Sequence, residues 1–212
     1  MRFLGVLLLL LSFSSCGQDQ PKVDVHQSRP NPNKTNLDTI VFGGGCFWCI
    51  EAVFEQVKGI LSAESGYAGG KQVKPTYEDV CSGTSGHIEV VQLVFDSSVV
   101  QLLDLYKVFF TVHDPTSRDR QGHDEGIQYR SIIYYRSENQ AEMALNTIAE
   151  LNTAQVYDQP IVTEVKPLKQ FYSAELYHQN YYDNNSNQPY CKLVIQPKLE
   201  KFIAVFENLK KD

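Results

Sequence analysis

The sequence predicts an α+β two-layer sandwich: a mixed sheet of ferredoxin-like connectivity, helices laid on it and a long C-terminal loop. Three observations support this. From Thr39 onward the periodic segments run β-α-β-β-α-β, with an extra helix and strand appended. His87 to Phe95 alternates strictly and is largely apolar on both faces, the pattern of a central strand covered on both sides. Two stretches, Phe47 to Val57 and Val99 to Phe110, repeat apolar residues at helical spacing. At 212 residues and 42% hydrophobic, the chain can bury one sizeable core but not two. With 19 basic against 25 acidic side chains and no basic stripe, nucleic acid is not its expected partner.

The first residues form a separate object. Met1-Arg2 gives a positive start, Phe3 to Leu11 an apolar run, and Ser12 to Cys16 a small-residue end. Residues 1–15 read as a lipoprotein-type signal peptide cut before Cys16, which would take lipid, although Phe13 stands where Leu is usual. An ordinary signal peptide or a plain apolar leader are the alternatives. The run is too short to span a bilayer. Residues 16–37, with three prolines and almost no large apolar side chain, read as a flexible tether. The folded domain is then 38–212. A lipid on Cys16 would place it outside the cytoplasm, held to a membrane on the periplasmic side of a bacterium.

Within that domain a strand from Thr39 to Phe42 runs into Gly43-Gly44-Gly45, and a helix follows until Gly59. Ile60 to Tyr67 is the next strand, ending at the Gly69-Gly70 turn. A polar loop then reaches Gly86 and carries Tyr77 and Cys81. After the His87 to Phe95 strand, a helix from Val99 must end before Asp114-Pro115. Thr116 to Gln128 reads as a working loop, followed by a strand from Tyr129 to Tyr135. Ser137-Glu138-Asn139-Gln140 has the pattern of a capping box in which Gln140 reaches back to the Ser137 amide. Ile161 to Lys166 is the next strand. A tyrosine-rich segment with His178, a loop through Tyr190-Cys191, and a last helix from about Lys198 complete the chain.

The residues also suggest chemistry. Cys46 opens a helix, where free backbone N–H groups and the helix dipole favour a thiolate; the bland alternative is a buried structural cysteine. Cys49 completes a Cys-x-x-Cys. Zinc is disfavoured because no second ligand pair follows at finger spacing, which leaves a redox pair or simple packing. Glu89 shares its strand face with Val91, Leu93 and Phe95. It is either paired with a cation or desolvated enough to hold a proton at neutral pH. Tyr77 and Tyr129 flank polar loops and are candidate donors to a polar oxygen, or else ordinary tyrosines.

Gly44-Gly45-Cys46-Phe47-Trp48, Gly66-Tyr67-Ala68-Gly69-Gly70, Pro75-Thr76-Tyr77, Val80 to Glu89, His113-Asp114-Pro115 and Asp119 through Ser131 together resemble the peptide methionine sulfoxide reductase A family, in order and from about residue 39 to 200. The resemblance implies that Cys46 is the nucleophile attacking the sulfur of methionine S-sulfoxide, free or in oxidised proteins. It implies that Phe47 and Trp48 shape a pocket for the methyl group and that Glu89 protonates the sulfoxide oxygen. Tyr77 and Tyr129 would hydrogen-bond that oxygen, and Asp124 would line the site. Cys46 would become a sulfenic acid, then a disulfide recycled by a thioredoxin-like reductant. Two thiols compete to resolve it. Cys191 matches a family position and is favoured here because a mobile loop can reach in; Cys49, one helical turn from Cys46, is the other. Cys81 matches a family cysteine without catalytic role and reads as packing. Ile127 stands where relatives commonly have Thr. No cofactor and no metal are implied, and a monomer is the default state.

Overall fold

The computed structural model describes residues 36–211. The expected leader, the expected lipidation at Cys16 and the expected tether up to residue 35 lie outside the described residues. The first strand, β1 (Leu37–Gly43), begins two residues before the expected Thr39, and Ser97 binds the Asn36 carbonyl just ahead of it.

After β1 come α1 (Phe47–Glu55), β2 (Ile60–Ala68), the short α2 (Tyr77–Cys81), β3 (Ile88–Asp96) and α3 (Leu102–Val112). A two-residue hairpin, β4 (Arg120–Gln121) with β5 (Asp124–Glu125), and a 3-10 turn at Ile127–Tyr129 occupy the expected working loop. Tyr129 therefore belongs to that turn, and β6 (Ile132–Tyr135) starts three residues after it. The remaining elements are α4 (Glu138–Thr153), β7 (Glu164–Pro167), β8 (Phe171–Ser173), α5 (Tyr181–Asn185) and α6 (Gln196–Val205).

The sheet order is β7-β6-β1-β3-β2-β8. All pairs are antiparallel except β6 with β7. In the inner four strands the crossovers β1-α1-β2 and β3-α3-β6 interleave, each leaving one strand of the other between its own, which is the ferredoxin-like arrangement the element order implied.

The main core lies between the sheet and α1, α3 and α6. Ile40, Phe42, Val91, Leu93, Phe95 and Ile133 face it from the strands. The Phe42 ring stacks on Phe109 at 4.6 Å and tilts against Phe54 at 5.4 Å. The other sheet face buries a smaller cluster, Val41, Ala68, Ile88, Val90, Ile132 and Tyr134, against which Leu168 and Phe171 pack. No described helix contributes to that cluster, so Gln92 and Val94 stay half-buried and β3 is fully covered on one side only.

Two local expectations are corrected. Ser137 does cap α4, accepting from the Gln140 N–H at 3.4 Å, but the Gln140 side chain does not return to the Ser137 amide. Its Oε1 accepts from the Arg136 N–H at 2.8 Å, and its Nε2 donates to the Asp38 carboxylate and the Thr39 carbonyl. That choice gives a buried amide all its partners and ties α4 to β1. At the C-terminus the expected loop around Tyr190-Cys191 is helical. Residues Pro189 and Tyr190 are already α-helical, Cys191–Ile195 form a π-turn, and α6 continues from it. The apolar Cys191, Ile195, Leu199 and Phe202, at spacings of four and three, pull this segment onto the core well before Lys198.

Candidate active site

The turn between β1 and α1 is set by its glycines. Gly45 has φ +91°, and a Cβ there would lie 2.6 Å from Gln121 Cγ, so the strand can close onto the helix only with glycine at this point. Cys46 follows as the cap of α1, extended at φ −56°, ψ 125°, with its side chain 6% exposed. The first free N–H of the helix, that of Phe47, donates to Glu89 Oε2 at 3.0 Å. Glu89 is 1% exposed on β3, on the helix-covered face of the sheet as its alternation required.

Burial raises the Glu89 carboxyl to a pKa of about 8, against the opposing hydrogen bond from Phe47, with the charges of Asp124 and Cys49 adding to the rise. It is therefore a neutral acid at pH 7. Cys46 itself is pushed up by burial, by the neighbouring Cys49 and by the charge of Glu89. Its neighbour Cys49 is pulled down to about 7, chiefly by Cys46 and against burial, with Lys198 assisting. The two thiols titrate as a pair and share their acidity.

The other candidates converge on the same place. Asp124, on β5, accepts from the Tyr190 hydroxyl at 2.7 Å, and that hydroxyl lies 3.9 Å from Cys49 Sγ. Tyr77 heads α2, whose cap Thr76 accepts from the Asp79 N–H at 3.3 Å. Tyr77 and Tyr129 are both held as neutral phenols, chiefly by burial. Phe47 and Trp48 have ring centroids 6.0 Å apart, and the indole stacks on Tyr181 at 3.7 Å and 8°. The Trp48 indole N–H donates to His178 Nδ1 at 3.2 Å.

Cys191 is fully buried in the π-turn, so the premise that made it the favoured resolving thiol, a mobile loop, does not hold. Cys81 is exposed, not packed in the core. Sequence reasoning gave no role to Tyr190, His178, Glu175 or Tyr181. The only signal was the density of aromatic residues from Phe171 to Tyr190, which has no periodicity of its own. Among the described residues no group of three or more His, Cys, Asp and Glu is arranged to hold a metal ion.

A family model for peptide methionine sulfoxide reductase matches residues 38–210. Peptide methionine sulfoxide reductase MsrA of Chromobacterium violaceum is 50% identical over 173 residues, which span 82% of this chain and 98% of that protein. The chain belongs to the peptide methionine sulfoxide reductase A family. MsrA of Saccharolobus solfataricus is 48% identical over 172 residues, 81% of this chain and 96% of that one. Among solved structures, reduced Mxr1 from Saccharomyces cerevisiae superposes with a TM-score of 0.67 at 31% identity, covering 76% of this chain and 91% of that one. Methionine sulfoxide reductase A of Corynebacterium diphtheriae gives 0.64 at 35% identity, covering 73% and 77%. The chain is thus an oxidoreductase of the MsrA family, with the α+β mixed sheet of its solved relatives, and the reaction of that family is the reduction of methionine sulfoxide.

Proposed function

We propose that the chain reduces methionine S-sulfoxide, free and in proteins, through attack of Cys46 Sγ on the sulfoxide sulfur with Glu89 as the acid. The observation that supports this reading most directly is the buried Glu89 carboxyl beside the start of α1, protonated at neutral pH and bonded to Phe47. A sulfoxide oxygen leaves sulfur only once it is protonated, so a neutral acid next to a nucleophilic sulfur is the pair the reaction needs. Cys46 and Cys49 titrate as a pair, and the state with the charge on Cys46, favoured by the free N–H groups at the start of α1, is the one that attacks. Phe47 and Trp48 hold the methyl group, Tyr77 and Tyr129 donate to the oxygen, and Asp124 with Tyr190 closes the far side. Attack forms an Sγ–S bond and Glu89 protonates the oxygen; the hydroxyl then moves to Sγ as the S–O and Sγ–S bonds break, leaving Cys46 as a sulfenic acid and the substrate as methionine. Substrate sulfur is reduced by two electrons and Cys46 oxidised by two.

Cys49 then resolves the sulfenic acid: an S–S bond forms to Cys46 and water leaves. Cys49 is favoured over Cys191 because it already contacts Cys46 and is the more acidic thiol. A thioredoxin-like dithiol would return the disulfide to two thiols by exchange. The test is turnover of a methionine S-sulfoxide peptide with dithiothreitol by wild type and Cys46→Ser. Turnover by wild type and none by the variant is expected; equal rates, or an inactive wild type, would remove the enzymatic reading.

The leader supports a second part of the proposal: a lipoprotein with Cys16 lipidated, residues 16–37 as a tether and the catalytic domain working as a monomer on the periplasmic side of a membrane. Its basis is the charged start, the short apolar run and the small residues before Cys16. Radioactive palmitate incorporated by wild type and lost in Cys16→Ala is expected; absence of label would leave an unanchored protein.

A further inference from the structure

Glu175 has no part in the chemistry above, yet it touches both walls of the substrate site. It stands just before the 3-10 turn Leu176–His178. Its Oε1 accepts from the Tyr77 N–H at 3.0 Å, and its Oε2 accepts from the Tyr67 hydroxyl at 2.8 Å. Burial pushes its carboxyl up, but hydrogen bonds from its own backbone N–H, from Tyr67 and from Tyr77 hold it below the usual range. At neutral pH it is an ionised, acceptor-only group.

Its third neighbour is His178, which is 2% exposed. An indole N–H can only donate, so the bond from Trp48 requires a bare Nδ1 and places the imidazole proton on Nε2. Among the described residues that Nε2 has no hydrogen-bond partner, and it faces Glu175 Oε2 at 3.9 Å. A buried N–H dipole pointing at a carboxylate is favourable, whereas the other tautomer would turn a lone pair toward the charge and an N–H toward the indole N–H. Burial keeps His178 neutral, against the charges of Glu175 and Glu78, so the doubly protonated ring that would expel the indole is avoided.

We propose that Glu175 is a positioning residue for sulfoxide reduction: a single carboxylate fixes Tyr77 at the start of α2 through one oxygen and, by selecting the His178 tautomer, fixes the Trp48 indole through the other. The proposal rests on the reading that Tyr77 and Trp48 contact the sulfoxide oxygen and methyl group. It makes the two walls interdependent, because any loss at Glu175 loosens both. Substrate placement should suffer more than the acid-base step, since Cys46 and Glu89 are held by α1 and β3 and not by this carboxylate.

Trp48 is the only tryptophan in the chain, so its emission reports this wall directly. Glu175→Gln keeps the size and one acceptor for the Tyr77 N–H, but its amide nitrogen opposes the donors on Tyr67 and His178. In the full-length variant, a red shift of the emission and stronger acrylamide quenching are expected. With a methionine sulfoxide peptide and dithiothreitol, KM should rise about ten-fold while kcat stays within about three-fold. A folded Glu175→Gln with unchanged emission and KM overturns the proposal, as does a fall in kcat alone. Should Glu175→Gln fail to fold, Glu175→Asp, which withdraws the carboxylate by one methylene, is read by the same emission and KM with the same criteria. The emission needs no turnover: if wild type proved inactive, the functional reading would fall while the emission still decided whether Glu175 positions Trp48.

Discussion

Phe47 and Glu89, 42 positions apart in the chain, meet through a 3.0 Å hydrogen bond from the Phe47 N–H to Glu89 Oε2. The bond comes from a helix end, which favours the ionised carboxyl, yet the desolvated site holds the proton on it. The acid is thus anchored by its nucleophile's neighbour without being discharged by it.

Glu89→Gln should slow methionine formation in a single turnover by at least about ten-fold, as loss of a general acid does. In wild type the same rate should fall as pH rises through about 8, where Glu89 ionises, and the variant should lack that limb. The stability consequence has a definite sign. The folded carboxyl titrates near 8 and its ordinary value is 4.5, so between these the folded chain holds a proton that the unfolded chain has lost. Wild-type stability should therefore decline relative to Glu89→Gln as pH rises across that window, as read by urea unfolding at pH 5, 7 and 9.

Oxidation with one equivalent of substrate, followed by peptide mapping, should yield a Cys46–Cys49 disulfide in wild type and in Cys191→Ser. Cys49→Ser should accumulate the sulfenic acid, trapped by dimedone. A Cys46–Cys191 disulfide forming in Cys49→Ser at the wild-type rate would show that the π-turn opens and that Cys191 resolves.

Lys198→Met should make Cys49 less acidic, because the Lys198 charge is one of the influences that hold its pKa near 7. The pH midpoint of iodoacetamide alkylation at Cys49 should move upward. An unmoved midpoint would assign the depression to Cys46 rather than to Lys198.

Gly45→Ala places a Cβ on a left-handed residue against Gln121. A loss of about 1–3 kcal/mol in unfolding free energy is expected from the backbone alone. Turnover should fall as well, since the same turn aims Cys46; a wild-type rate would mean the turn relaxes without moving the thiol.

How much of this was legible beforehand depended on whether a residue's role was local. β3 declared itself by alternation, and Glu89 stood out because a carboxylate on an apolar face has few explanations. Cys46 stood out because three glycines precede it at a helix start. The early start of the C-terminal helix was missed because Pro189 and the polar residues before it read as a loop, whereas the apolar contacts that make Cys191–Ile195 helical come from α1 and α6. Gln140 was assigned the nearest donor by pattern, but its Oε1 takes the Arg136 N–H and its Nε2 finds partners on β1, about a hundred residues away. His178 and Glu175 had no signal because their chemistry arises only when the chain folds back on Trp48 and Tyr77.

The outer strands of the sheet have one more consequence. β8 is three residues long and β7 four, ending in Pro167, so little unpaired backbone is offered at either margin. Extended peptide segments pair readily with open strand edges. Blunt margins let such a segment be held by one side chain and released, where a long open edge would invite it to zip on and stay.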